Sequence, residues 1–114
     1  MGKMRKAINI LGTKYLLITS DSGKDPFLNE CDGYCDKTSK EIVVAEKRND
    51  NELECFEAYQ RKVMRHEIIH AFLFESGLHE NFTHDAGHDE TYVDWIAVQF
   101  PKIQKVFEEV GCEN

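Results

Sequence analysis

His66-Glu67-Ile68-Ile69-His70 sets two imidazoles four residues apart, with a carboxylate directly after the first. On an α-helix, residues four apart are separated by ~6 Å along the axis and lie nearly on one face. Two such rings can converge on one divalent ion, at the ~2.0–2.1 Å usual between zinc and an imidazole nitrogen. Glu67 sits one position round the helix, beside such an ion rather than on it. From there its carboxylate can take a proton from a water that the ion activates. The bland alternative is that both histidines are ordinary hydrogen-bonded helix residues. The apolar neighbours Ile68, Ile69 and Ala71 weigh against it, because an unpaired polar group among them would be costly.

Two histidines do not complete a catalytic zinc site, which usually takes three protein ligands and leaves one position for water. The candidates for the third are Glu90, Asp89, His84, His88 and His79. The extended pattern HExxHxxGxxH does not apply, because position 73 is Leu73. Spacing favours Glu90, at the start of a second helical stretch that can pack on the first. Asp94, one turn further on, can then accept a hydrogen bond from the far N–H of a ligand histidine and fix its orientation. The plain reading of Glu90 is an acid favoured by the helix dipole at an N-terminus.

These residues need a scaffold, and the chain supplies one in two halves. Lys6–Leu11 and Lys14–Ser20 are β-branched, apolar-rich runs about Gly12-Thr13 and predict a hairpin. Gly33–Asp36 and Glu41–Glu46, joined through Lys37–Lys40, predict a second hairpin. From about Leu53 to Ser76 there is neither Gly nor Pro, and Gly77 follows as a natural stop, so a helix carries the two histidines. It reads as central and covered on several sides. Leu78–His88 is a polar, His-rich loop. Val93, Ile96, Ala97, Phe100, Ile103, Phe107 and Val110 then draw one apolar stripe, interrupted by Pro101, where a kink or two abutting helices is expected. Strands first and helices second predict an α+β fold: a small, antiparallel-rich twisted sheet beside the HExxH helix and a Glu-bearing C-terminal helix.

A chain of 114 residues suits one domain spanning 1–114. The net charge of −7 argues against a nucleic-acid partner, whose phosphates require a basic face. No apolar run reaches the ~18 residues of a membrane span. The N-terminus lacks a cleavage site of small residues, so a cytoplasmic location is expected. Cys31, Cys35, Cys55 and Cys112 then read as reduced thiols rather than as a zinc cluster or disulfides.

HEIIHAFLFESGL followed by ETYVDWIAVQFP resembles the small gluzincin-type zinc metallopeptidases. It is most similar to the ImmA/IrrE-like and minigluzincin proteins and to short metallopeptidases carried by phages and mobile elements. The resemblance is strong over Tyr59–Pro101. It is weaker over Gly33-Tyr34-Cys35-Asp36 and the following Lys40–Val44, which look like the family's edge-strand segment. It implies one zinc held by His66, His70 and Glu90, with Glu67 as general base. It also implies an extended peptide or protein substrate paired with a strand near the cleft, here Glu41–Glu46. The residue stabilising the oxyanion is left open among His79, His84, His88 and Tyr92, of which His88 and Tyr92 lie closest in sequence to Glu90. The competing reading is a catalytically inactive metal-binding interaction module of a phage or mobile element. A third is hydrolysis of a non-peptide amide. Among the remaining residues, Trp95, Phe100, Phe56 and Tyr59 are expected in the core, and Arg61, Lys62 and Arg65 on the solvated side of the helix.

Overall fold

The computed structural model describes residues 4–46, 55–78 and 90–113. The elements are β1 (Arg5–Ile10), β2 (Thr13–Ser20), a 3-10 turn (Pro26–Asn29), β3 (Gly33–Asp36), β4 (Glu41–Ala45), α1 (Phe56–Glu75) and α2 (Glu90–Val110). The class is α+β, with both expected hairpins present. No described helix is long and apolar enough to cross a membrane.

The first hairpin turns at Leu11-Gly12, both with positive φ, one residue earlier than the sequence suggests. Two positive-φ residues define the tight turn whose twist matches its strands. The Asn9 side chain steadies it by accepting the Gly12 N–H at 2.6 Å. The second hairpin turns through Lys37–Lys40, where Asp36 Oδ1 accepts from the Thr38 and Ser39 N–H groups. Lys40, at φ 61°, closes the turn.

The sheet order is β1-β2-β4-β3. Both hairpins are antiparallel, but they join through a parallel pairing of β2 with β4, Leu16 opposite Glu41 through Ser20 opposite Ala45. This order corrects one expectation. The strand assigned to substrate pairing, Glu41–Glu46, is interior, with β2 on one edge and β3 on the other, so its ladder groups are already used. Its composition reflects the position. Ile42 and Val44 face α1, while Val43 and Ala45 pack with Leu28 of the 3-10 turn on the opposite face. A strand buried on both faces reads as a continuous apolar run.

The main core joins Ile10, Tyr15, Leu17, Ile42 and Val44 of the sheet to Val63, Met64 and Ala71 of α1. Helix α1 ends as expected: Gly77 has φ 81° and its N–H bonds the Phe74 carbonyl. The last turn is fastened by Glu75, which accepts from Tyr15 Oη at 2.7 Å and Lys40 Nζ at 2.8 Å. These two bonds, that from Lys40 foremost, together with one from Thr13, pull the Glu75 carboxyl down to about 2 from an ordinary 4.5. A carboxylate depressed in the folded state stabilises the fold fully above the unfolded value, and that contribution is lost as pH falls toward the folded one. Between pH 4.5 and 2 the protein is therefore expected to lose stability through Glu75. Denaturant melts at pH 7 and pH 3 should show a smaller loss for Glu75→Gln than for the parent.

Helix α2 runs unbroken through Pro101, so the expectation of two abutting helices is not met. Its apolar stripe is divided. Val93 and Ala97 are fully buried, whereas Phe100, Val106, Phe107 and Val110 lie exposed, because α1 backs only the first half. Trp95 is 58% exposed and Phe100 43%, contrary to the core placement expected for both. Phe100 instead borders an open groove between the helices, walled also by Ile68, Ile69, Phe72 and Ile96. Phe56 and Tyr59 are half-buried.

Candidate metal centre

Helix α1 lies across the sheet, with Gln60, Val63, Met64, Glu67, His70 and Ala71 buried along its length. This face includes the second histidine and the glutamate of the motif, while His66 stands half-buried beside them. Helix α2 crosses alongside and brings Glu90, its first residue, over the pair.

His66 Nε2 lies 3.1 Å from His70 Nε2, and the two rings meet edge to face. Glu90 Oε2 is 3.1 Å from His66 Nε2, and Glu90 Oε1 is 2.5 Å from His70 Nε2. Among the described residues this trio forms the one group of three or more His, Cys, Asp or Glu side chains close enough to share a metal ion. The spacing suits one. Two nitrogens bound tetrahedrally to the same zinc at ~2.05 Å would be about 3.3 Å apart. Among the described residues the donor set is two imidazoles and one carboxylate, a combination that zinc takes where one position is left for water.

Asp94 fixes the tautomer of His66. Its Oδ1 lies 3.0 Å from His66 Nδ1 and accepts a second bond, also 3.0 Å, from Lys62 Nζ. The Lys62 ammonium, then the His66 bond, hold the Asp94 carboxyl below its usual range against opposing desolvation. An ionised carboxylate only accepts, so Nδ1 donates to Asp94, and an ion between His66 and Glu90 would take the lone pair of Nε2. The Asp94 bond anticipated from spacing is thus present. Asp94→Ala is expected to weaken zinc binding about 10–100-fold, measured by competition with a chromogenic chelator.

Glu67 is 8% exposed and stands beside the trio without joining it. Burial pushes its carboxyl up to about 7. Glu90 adds to the rise, while His66 and Lys62 oppose it. A carboxyl held near neutrality can both accept and return a proton at physiological pH.

The cleft has two lobes that share Gly33, Glu67 and Glu90. One, about 220 Å³, is walled by Asp32, Tyr59, Lys62 and Asp94. The other, about 270 Å³, is walled by Tyr34, Cys35, His70 and Phe74. Strand β3 runs along both. The ladder bond from Ala45 N–H to the Asp32 carbonyl, 2.8 Å, sets the alternation of the β3–β4 pair. Tyr34 and Asp36 therefore turn their backbone groups toward β4, and Gly33 and Cys35 turn theirs outward. Among the described residues nothing pairs with that outer edge as a strand.

Three residues escaped the sequence reading. Lys62 is no solvated helix residue: it lies in the cleft wall, bonded to Asp94, with its ammonium 5.2 Å from the centre of the Tyr59 ring. The signal was available, since positions 62, 66 and 70 share one helical face. Arg65, also expected in solvent, donates to the Ala97 carbonyl at 2.5 Å and ties α1 to α2. Gly33 meets both lobes, and no feature of its neighbours in sequence reveals it. Tyr92 is 45% exposed on the first turn of α2 and is absent from the walls of both lobes. His79, His84, His88 and Asp89 lie outside the described residues. All four cysteines are free thiols. Burial, reinforced by Glu67 and Asp36, pushes the Cys35 thiol up to about 12.

Comparison of the chain with known protein families, with curated proteins and with solved structures finds no match.

Proposed function

We propose that this protein is a zinc-dependent metallopeptidase that hydrolyses a peptide bond in an extended substrate. One observation carries the reading: His66 and His70 of α1 and Glu90 of α2, 20 or more residues further along the chain, converge at 2.5–3.1 Å beside a buried glutamate that makes no part of the trio. A structural zinc site has no use for such a glutamate, whereas a hydrolase requires a base there.

A zinc ion held by these three groups would polarise the scissile carbonyl and acidify the attacking water. Glu67 takes the proton of that water and delivers it to the leaving amine. Asp94 holds the His66 ring in register by accepting from Nδ1. The outward Gly33 carbonyl and the outward backbone groups of Cys35 on β3 bind the substrate by strand addition, taking the role first assigned to Glu41–Glu46. This edge borders both lobes of the cleft, so a peptide on it passes Glu67.

The test is metal analysis of the purified protein, followed by digestion of a peptide library before and after chelation. About one zinc per chain, with cleavage lost to the chelator and restored by zinc, is the expected result. Zinc without cleavage of any library peptide would favour the inactive interaction module. Absence of bound metal after zinc addition would overturn both readings.

A further inference from the structure

We propose that Gly33 is a positioning residue of this site: its missing side chain lets the free edge of the sheet rest against the stem of Glu67. The inference builds on the metallopeptidase reading and concerns where substrate and base meet. A Cβ at position 33 would lie 2.8 Å from Val63 Cγ1, 3.1 Å from the Val43 carbonyl oxygen and 3.4 Å from Glu67 Cγ. The first distance is roughly 0.7 Å short of the shortest comfortable carbon contact. Val63 and Glu67 are one turn apart on the buried face of α1, so the bare Gly33 backbone sits over both. Gly33 is also shared by the two lobes of the cleft, and its carbonyl points outward, where a peptide would pair, while its N–H meets the Cys31 thiol. Any side chain here lifts β3 from α1 or pushes α1 away. Either displacement moves the peptide-binding edge relative to Glu67. The three atoms nearest such a Cβ include none from the metal trio.

The experiment separates the edge from the metal. Cobalt-loaded parent, Gly33→Ala, Val63→Ala and the Gly33→Ala/Val63→Ala double variant are titrated with acetohydroxamate, which needs only the metal. They are then titrated with a panel of N-acetyl dipeptidyl hydroxamates, which also reach along the strand. In the parent, the best dipeptidyl compound should bind more tightly than acetohydroxamate. Gly33→Ala should weaken that compound about tenfold, since sub-ångström misplacement of a bound group is felt at this scale. Its cobalt and acetohydroxamate affinities should stay at parental values. Removing Val63 Cγ1 relieves the tightest contact, so the double variant should regain most of the loss. Parental dipeptidyl affinity in Gly33→Ala would overturn the proposal. So would an equal loss for both probes, or a double variant no better than the single one, because each would reduce Gly33 to general scaffolding. A parent that binds cobalt and acetohydroxamate but gains nothing from any dipeptidyl arm would also overturn it while leaving the metal centre standing. A parent that binds no cobalt would instead overturn the metallopeptidase reading itself.

Discussion

A Glu67→Gln protein should hold zinc as the parent does and lose peptide hydrolysis by about 10²–10⁴-fold, the usual contribution of a positioned general base. Gln keeps the shape and the packing of this buried side chain, and Glu67 lies outside the metal trio, so metal content should not change. The metal-free variant should also be more stable than the metal-free parent at alkaline pH. Glu67 has its folded pKa raised from 4.5 to about 7. Such a group favours folding below its unfolded pKa and forfeits that advantage as pH rises through the folded value. Above pH 7 the parent therefore carries an uncompensated buried carboxylate, at a cost of up to about 3 kcal/mol for a shift of this size, and the neutral amide removes it. Peptide turnover with metal analysis, and denaturant melts of both chelated proteins at pH 5 and pH 8, check the two halves. Equal turnover by the two proteins would exclude Glu67 as the base.

Glu90→Ala should abolish stoichiometric zinc binding at micromolar protein while leaving the fold intact. The Glu90 side chain is 71% exposed, so truncation removes little packing. Its two oxygens nevertheless reach both histidines. Zinc sites of four ligands bind with about 10–16 kcal/mol, or roughly 3 kcal/mol per ligand, so losing one should weaken the ion about 10²–10³-fold. Zinc titration by calorimetry measures this directly. Retained affinity in Glu90→Ala would transfer the third position to a residue such as His84 or His88, and His84→Ala and His88→Ala would then be the variants to titrate.

Much of the scaffold was legible because its signals are local. The hairpin about Gly12 and the helix ending at Gly77 each follow from a backbone conformation that glycine adopts without strain. The four-residue spacing of His66 and His70 follows from helical pitch alone. The Asp94 bond to His66 was anticipated by the same means, since Glu90 and Asp94 lie one turn apart on α2. What failed depended on which element covers which. Phe100 fits an apolar helical period, yet α1 backs only part of α2, and periodicity does not say how far a neighbour extends; Trp95, two residues from both Val93 and Ala97, lies on the far side of the helix from that stripe.

By itself, then, the sequence determined two hairpins, two helices and the local pairings His66 with His70 and Glu90 with Asp94, because each spans no more than a turn or two of chain. Tertiary structure alone decided that Glu90 reaches both histidines, that Lys62 shares Asp94 with His66, and that β3 rather than β4 is the free edge beside the cleft. It also decided that Gly33 lies against Glu67. Each of these joins residues distant in sequence, and their distances are set by how the sheet orders its strands and how the helices dock, neither of which is encoded in a local period.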